Sequence, residues 1–242
     1  MTPKKLQVHF TPRDPVIATL LGLAGRCTLA SAPRGSVFEA LARSIASQQL
    51  SGLVARRILE RLVGLHGGHF PTPPQVLDAD PQALRGVGFS FAKIAALKDL
   101  AAKTLDGTLP ADAAIALLDD ESVIERCVQV RGIGRWTAEM LLMFHLGRAD
   151  VLPVDDFGVR NGFRLAYGLK GMPRPQALLA YGERWRPYRS AAAWSLWRAV
   201  DLHRDEKLPK RTGRAPRVAV VPPKAEPRPA AKRPRATRGP AR

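Results

Sequence analysis

The chain has 242 residues, enough to bury a substantial core in one domain or in two small lobes. Its hydrophobic content of 45% is ordinary for a folded protein, whereas its formal net charge of +17 is unusually high. Two cysteines exclude a secreted disulfide framework and cannot supply the four thiolates of an iron–sulfur cluster. No apolar run approaches the length of a membrane span, and the N-terminus lacks the apolar run of a signal peptide. We therefore expect an intracellular, cytoplasmic protein without a membrane partner.

The basic residues are distributed unevenly along the chain. From Lys207 onward there are 12 Lys and Arg and one acid, Glu226, so this segment carries +11 and residues 1–206 carry +6. Eight prolines alternate there with Arg, Lys and Ala, and no apolar periodicity remains. Such a composition is typical of disorder. We predict a disordered basic tail over residues 206–242.

The rest of the chain shows helical periodicity and no strand-like run, which predicts an all-α fold. In the first part, residues 1–35, Asp14 is placed to cap a short helix that begins at Pro15. Ser36 begins a stronger helix, which should end near Gln48. Further helical segments are predicted over residues 73–86 (two short helices), 90–105, 111–118, 120–130, 134–147, 175–185 and 187–202.

The segment Ser47-Gln48-Gln49-Leu50-Ser51 interrupts the periodicity with polar residues, and an apolar pattern restarts at Leu53. This indicates an exposed turn between two antiparallel helices. From the residues alone, the simplest interpretation of Leu50 is an apolar contact that fixes the start of the second helix.

Gly132 and Gly134 flank Ile133 between two helical runs, which predicts two helices joined by a tight hairpin. The N–H groups that open the second helix would point outward and suit a phosphate. For a chain this basic, nucleic acid is the natural source of that phosphate.

Two adjacent acids, Asp155 and Asp156, follow Trp136 by 19 and 20 residues, after one further helix. That spacing allows them to return to the face that the hairpin presents. One of them should cap a helix that runs through Val159. Since adjacent side chains point in different directions, only one carboxylate can face a shared pocket.

Together these motifs resemble the helix-hairpin-helix DNA glycosylase superfamily, and in particular its 3-methyladenine DNA glycosylase II branch. The resemblance covers roughly residues 35–205 and is carried by four motifs in family order: Ser47 to Ser51, Gly132 to Ala138, the Asp155-Asp156 pair, and Trp185 to Ser190 with Trp197. It implies a glycosylase domain over residues 36–205, with residues 1–35 as an N-terminal extension. Within it we expect two helical lobes with a cleft between them. One lobe spans the middle helices, and the other joins the N-terminal part to the C-terminal helices. The N-terminal β-rich domain of larger members is expected to be absent.

The resemblance also implies roles for individual residues. Asp156 is the catalytic carboxylate, with Asp155 as the alternative and otherwise the helix cap. Leu50 enters the duplex where the target nucleotide has left. The DNA-binding set is Gln49, Leu50, Gly132, Ile133, Gly134, Arg135 and Thr137, and the base-pocket set is Trp136, Trp197, Tyr188 and Met140. No cofactor is required, but a monovalent cation, Na⁺ or K⁺, would be held at the hairpin by the carbonyls of Val128, Val130 and Ile133.

The implied function is that of a monofunctional glycosylase in base excision repair. It would hydrolyse the N-glycosidic bond of alkylated purines, of the 3-methyladenine type, in double-stranded DNA, as a nucleoid-associated monomer. Trp136 stands where strand-cleaving members carry a lysine amine, so no lyase activity is expected. Two alternatives remain open: a glycosylase for deaminated purine or uracil, because pocket shape decides the base, and a non-catalytic helix-hairpin-helix DNA-binding protein.

Deletion of residues 222–242 is expected to weaken binding to undamaged duplex DNA and to flatten its salt dependence. The deletion removes seven cationic side chains and one carboxylate, and each lost phosphate contact lowers the slope of log K against log salt by about one. Fluorescence anisotropy with a labelled duplex, between about 50 and 200 mM salt, measures that slope. A slope equal to that of the full chain would mean that the tail does not contact phosphate.

Overall fold

The computed structural model describes residues 2–25, 27–29, 35–209 and 216–221. Helices account for nearly all of its regular structure. They are α1 (Pro3–Arg13), α2 (Pro15–Ala24), α3 (Val37–Ser47), α4 (Gly52–Leu65), α5 (Pro73–Asp78), α6 (Pro81–Gly86), α7 (Phe91–Leu105), α8 (Asp112–Ile115), α9 (Asp120–Cys127), α10 (Arg135–Met140), α11 (Phe157–Ala166), α12 (Pro175–Gly182) and α13 (Arg189–Arg204). A π-helical turn, Leu141–His145, extends α10, and a 3₁₀ turn, Glu183–Trp185, extends α12. The expected all-α class is confirmed.

The first lobe is built from α3 to α10 around α7. Helix α7 buries Ile94, Leu97 and Leu100 at helical spacing and packs against α3, α5 and α6. Ser90 caps its N-terminus by accepting a hydrogen bond from the Lys93 amide. The middle of the chain therefore forms a helical lobe around one apolar helix.

The second lobe combines α1 and α2 with α11, α12 and α13. Its interior holds a buried carboxylate, Asp14, which caps α2 through the Ile17 amide and also accepts hydrogen bonds from Tyr167 Oη at 2.6 Å and Trp185 Nε1 at 2.8 Å. These bonds join the N-terminal helices to the C-terminal half of the chain. The predicted pairing of N-terminal and C-terminal helices in one lobe is confirmed.

Helices α1 and α2 lie within residues 1–35, the predicted N-terminal extension, and they pack into the second lobe. Phe10 and Ile17 are fully buried in the core, and α2 packs against α13.

The expectation that the chain has no strand is wrong at one place. Strand β1 (Met172–Pro173) pairs antiparallel with strand β2 (Val220–Val221), with Met172 opposite Val221 and Pro173 opposite Val220. The Arg174 amide also donates to the Ala219 carbonyl at 2.8 Å. Residues 216–221 of the predicted tail thus lie along the second lobe, while the tail from residue 222 onward lies outside the described residues. Within the described ranges, no helix is long and apolar enough to cross a membrane.

Substitution of Gly162 by alanine is expected to destabilise the second lobe. Gly162 lies on α11 where it crosses α13, and an added Cβ would collide with the Leu196 backbone carbonyl. Because backbone cannot move aside as a side chain can, we expect a loss of about 1–3 kcal/mol or more in the free energy of unfolding.

Chemical denaturation of wild type and Gly162→Ala measures this loss. The control is Gly64→Ala on α4, where an added Cβ meets nothing within 4 Å and alanine has the higher helix propensity. The control variant should be as stable as wild type or slightly more so. Equal stabilities of the two variants would contradict the close crossing of α11 and α13.

Candidate functional site

Asp156 lies where the two lobes meet, and its carboxylate accepts three N–H hydrogen bonds. As the N-cap of α11, its Oδ1 accepts from the Val159 amide at 2.7 Å. Oδ1 also accepts from Trp197 Nε1, and Oδ2 from Trp136 Nε1, both at 2.7 Å. All three partners are donors, which suits an ionised carboxylate because that form only accepts. The side chain is thereby fixed from three directions.

The donors come from different parts of the fold. Trp136 belongs to α10 of the first lobe, whereas Trp197 belongs to α13 of the second. Trp197 can come this close because position 158 is glycine: a Cβ there would lie 2.6 Å from Trp197 Cδ1. Gly158 was missed by the sequence analysis. A glycine inside the first turn of a helix costs stability, and this was the available signal for it.

Asp155 is exposed, while Asp156 is partly buried. The prediction that Asp155 caps the helix is wrong, because the Val159 amide bonds to Asp156. Asp156 thus combines the cap with the position facing the tryptophans. The sequence alone predicts these two roles for neighbouring residues.

A cavity of about 590 Å³ lies beside Trp136, between the end of α3 and the start of α10. Of the predicted residues, Trp136, Met140, Gln49, Gly132 and Thr137 line it. The lining also includes side chains from α3 and its C-terminus that the sequence analysis did not select: Arg43, Ser44, Ser47 and Gln48. The turn after α3, the hairpin helix and two of the four predicted base-pocket residues, Trp136 and Met140, therefore border one cavity.

The rings of Phe144 and Trp197 stack with their centroids 5.7 Å apart and an interplanar angle of 27°. Phe144 lies in the π-helical turn that extends α10 and is 48% exposed, as is Trp136. Its spacing of eight residues from Trp136 places it near the same helix face, where large apolar side chains are usually buried. The irregular turn instead leaves it at the surface beside Trp197.

Tyr188 does not join this group. Its ring packs edge-on against His9, with ring centroids 4.9 Å apart, and Lys5 Nζ lies 5.6 Å from the ring centroid. The prediction that Tyr188 belongs to the base pocket is therefore not supported. The physical reason is that α1, which the sequence analysis left without a role, occupies the surface against which Tyr188 packs.

The turn Ser47–Ser51 is exposed, as predicted. Leu50 is 39% exposed, and Gln49 has a φ of +58°, a left-handed conformation that residues other than glycine seldom adopt. Gln48 Nε2 donates to the Gly132 carbonyl at 2.9 Å, which joins this turn to the hairpin 84 residues further along the chain. Below, we call residues Ser47–Ser51 the wedge turn.

The predicted hairpin between α9 and α10 has the expected geometry. Gly132 has a φ of +78°, and Gly134 is the N-cap of α10. The Ile133 amide donates to the Val130 carbonyl at 3.0 Å, and the Ile133 side chain is buried. Contact with a ligand at this hairpin would therefore involve the backbone of Ile133 and not its side chain.

Arg135, predicted to contact DNA, is held by acids in the structure. Its guanidinium forms a bidentate pair with Glu121, at 2.7 and 2.8 Å, and its Nε lies 3.3 Å from Glu139 Oε1. A phosphate would have to compete with Glu121 for this side chain. The sequence does not reveal the Arg135–Glu121 pair, because Glu121 lies 14 residues before Arg135, on the first helix of the hairpin.

No group of three or more His, Cys, Asp or Glu side chains that could hold a metal ion occurs in the part of the chain that the structure describes. Cys127 is buried and Cys27 partly buried, and both are free thiols. The predicted cation ligands, Val128, Val130 and Ile133, are backbone carbonyls and would not appear in such a group.

A carboxylate bonded to a tryptophan of each of two helical lobes, one of which lines a cavity bordered by a glycine hairpin and an exposed turn, is the arrangement of a DNA glycosylase. Residues 42–187 match the model of the HhH-GPD superfamily of base excision DNA repair proteins. The chain belongs to this superfamily.

Particular relatives agree in fold and sequence. DNA-3-methyladenine glycosylase 1 of Schizosaccharomyces pombe is 39% identical over 200 residues, which are 82% of this chain and 88% of that protein. DNA-3-methyladenine glycosylase 2 of Escherichia coli is 33% identical over 179 residues, 70% of this chain and 60% of that protein. A solved structure of the S. pombe 3-methyladenine DNA glycosylase in complex with abasic DNA superposes with a TM-score of 0.71 at 39% identity, covering 80% of this chain and 95% of that one.

Glu139 is expected to make the free energy of unfolding depend on pH. Burial raises its pKa from 4.5 to about 7, against the opposing effect of Arg135. Between these values the folded protein retains a proton that the unfolded chain has lost, so the stability contributed by Glu139 is lost as pH rises from about 4.5 to 7.

Because each pKa unit corresponds to about 1.4 kcal/mol, wild type should lose about 1–3 kcal/mol relative to Glu139→Gln across this window. Urea denaturation of both proteins at pH 5 and pH 7.5 measures the difference. Identical pH profiles would show that Glu139 is ionised throughout.

Proposed function

We propose that this protein is a monofunctional DNA glycosylase that releases alkylated purines, of the 3-methyladenine type, from duplex DNA in base excision repair. The observation that carries the proposal is Asp156, fixed by the two tryptophan N–H groups beside a cavity bordered by the hairpin and the wedge turn. The printed names of the S. pombe and E. coli relatives support the same substrate class.

Asp156 acts on the sugar rather than on the base. A purine that carries a positive charge departs with little acid assistance, and the barrier lies in the oxocarbenium-like sugar that it leaves. An ionised carboxylate stabilises that charge and orients or deprotonates the attacking water. A carboxylate has about four acceptor positions. The three N–H groups occupy three of them, which leaves one for this water or the sugar.

The aromatic side chains around Asp156 suit a cationic base. Trp136 and Phe144 are each 48% exposed, and Trp197 stacks on Phe144. A cation over a tryptophan face gains about 0.5–2 kcal/mol, and more as water is excluded. Discrimination in favour of alkylated purines would then follow from the charge of the base. Met140 lines the adjoining cavity as an adaptable apolar contact.

The attacking species is water, and strand cleavage is absent from the proposed reaction. A lyase step needs an amine that forms a Schiff base with the sugar. Position 136 has an indole instead, and its Nε1 is bonded to Asp156. The proposed reaction also requires no cofactor.

Two elements of the chain, the hairpin and the wedge turn, contact the DNA around the extruded nucleotide. The hairpin backbone around Gly132 and Gly134 binds phosphate through the amides at the start of α10, and Leu50 fills the space vacated in the duplex. One copy of the chain carries both elements, so we propose a monomer that acts on DNA inside the cell.

We further propose that the carbonyls of Val128, Val130 and Ile133 hold a monovalent cation at the hairpin. The Val130 carbonyl accepts one hydrogen bond, from the Ile133 amide, and a carbonyl oxygen has a second lone pair to offer. The positive φ of Gly132 produces the tight turn in which these carbonyls lie. Such an ion would neutralise a phosphate and takes no part in bond cleavage.

Asp156→Asn is expected to abolish release of 3-methyladenine, whereas Asp155→Asn should leave it nearly unchanged. Asparagine caps helices about as well as aspartate, so the first variant should fold while losing the charge that opposes the oxocarbenium ion. A loss of at least about 10²-fold in the single-turnover rate is expected for this electrostatic contribution. Asp155 is exposed, and its substitution provides the matched control.

The assay follows base release from oligonucleotides that carry methylated, deaminated or oxidised bases. Preference for a deaminated or oxidised base would refute the proposed substrate class, and absence of any release by wild type would leave only a DNA-binding protein. Strand breaks beyond those produced by alkali would contradict the proposed role of water.

A further inference from the structure

One face of α7 contacts both elements that are proposed to bind DNA, the hairpin between α9 and α10 and the wedge turn. It carries Lys93, Ala96, Asp99 and Lys103, at spacings of three, three and four residues, which places them on one side of a helix. Ala96 lies next to Gly132, since a Cβ at that glycine would be 3.5 Å from the Ala96 Cβ. Helix α7 thus supports the hairpin directly.

The C-terminal half of this face, with Asp99 and Lys103, binds the hairpin backbone. Asp99 Oδ2 accepts a hydrogen bond from the Arg131 amide at 2.7 Å, and Lys103 Nζ donates to the Gln129 carbonyl while forming an ion pair with Asp99. Two residues of α7 therefore fix two peptide groups in the turn between α9 and α10.

The N-terminal end of this face binds the wedge turn through a single ammonium group, that of Lys93. Lys93 Nζ donates to the Ala46 carbonyl at 2.7 Å and to the Gln48 carbonyl at 2.9 Å, at the C-terminal end of α3. A cation here also opposes the negative end of that helix dipole. Burial lowers the pKa of Lys93, as expected for an amine withdrawn from water into this contact.

The lysine contact adjoins the strained residue of the turn. Gln48, whose carbonyl Lys93 holds, immediately precedes Gln49 with its φ of +58°, and Leu50 follows. A left-handed conformation at a residue other than glycine persists when its surroundings impose it. Two contacts of the preceding residue, Gln48, supply that constraint. Its carbonyl accepts from the Lys93 ammonium group, and its Nε2 donates to the Gly132 carbonyl.

We propose that Lys93 is a positioning residue for nucleotide extrusion: it holds the wedge turn at a fixed distance from the hairpin, so that Leu50 enters the duplex opposite the phosphates that the hairpin binds. This inference rests on the proposed glycosylase function. Lys93 makes no contact with the reacting atoms and acts through the conformation of Gln49 and Leu50.

The chain supplies a matched control on the same helix. Lys98 Nζ donates to the Leu77 and Ala79 carbonyls at 2.8 and 2.9 Å, at the C-terminal end of α5. The chemistry is the same as that of Lys93, but the carbonyls belong to a helix that carries none of the predicted DNA contacts. Removing either ammonium group should therefore cost comparable stability, while only Lys93 affects the wedge turn.

The experiment compares single-turnover release of 3-methyladenine from two duplexes, one with the lesion paired with thymine and one with the lesion opposite an abasic analogue. Extrusion is harder from the paired duplex, so an effect on the wedge appears there first. Lys93→Met should lower release from the paired duplex by about tenfold or more and from the other by less than about threefold. Lys98→Met should lower neither rate by more than about threefold.

Lys93→Arg, which keeps a charge and several donors, should recover most of the rate on the paired duplex. Equal losses on both duplexes, or none on either, would overturn the proposal for Lys93. If thermal unfolding shows that Lys93→Met does not fold, Gln48→Met replaces it, because this variant removes the other bond that holds the turn. Absence of a selective loss on the paired duplex then overturns the proposal. Failure of the proposed function is a different result: wild type would release no base from either duplex.

Discussion

The arrangement of the two lobes around the site depends on one carboxylate, that of Asp156, which accepts three hydrogen bonds. Asp156 begins α11 in the second lobe, yet one of its oxygens is bonded to Trp136 of the first. The other oxygen is shared by the Val159 amide and Trp197. A carboxylate fixed in this way cannot turn towards solvent without breaking bonds in both lobes. The carboxylate orientation on which the proposed function depends is therefore imposed by the fold before any ligand arrives, which is the condition under which an electrostatic contribution to catalysis is largest.

Three further polar contacts extend this rigidity to the two elements proposed to bind DNA, the wedge turn and the hairpin. Helix α7 holds the end of α3 through Lys93 and the hairpin through Asp99, and the Gln48 side chain bonds the two elements to each other. The partners are backbone groups, so the contacts fix the course of the chain itself. In the proposed function, nucleotide extrusion works against base stacking and pairing. The turn that enters the duplex must therefore keep its own conformation.

Arg135 and Glu139 illustrate that the hairpin helix is electrostatically balanced in the absence of DNA. Glu121 forms the ion pair that neutralises the guanidinium, and Glu139, whose pKa burial raises, lies on its other side, although this chain carries a net charge of +17. In the proposed function, an unpaired positive side chain at this hairpin would raise affinity for any duplex. The pairing of Arg135 with Glu121 moderates that attraction and leaves the contribution of the backbone amides, which depends on their geometry.

The helical class, the hairpin, the exposed turn and the acid pair could be predicted from the sequence, because each is encoded by residues close together in the chain: glycines flanking Ile133, polar residues interrupting a periodic pattern, and a capping acid before Val159. Which side chains meet was settled by the packing of the helices in three dimensions. It assigned the cap to Asp156 rather than Asp155, placed Tyr188 against His9, paired Arg135 with Glu121 and brought Lys93 to the wedge turn. Such partners lie between three and almost two hundred residues apart, and a hydrogen bond forms only within a few tenths of an ångström of its preferred length. Local patterns specify where a helix begins, but not the distance between two helices, and that distance decides which donor reaches which acceptor.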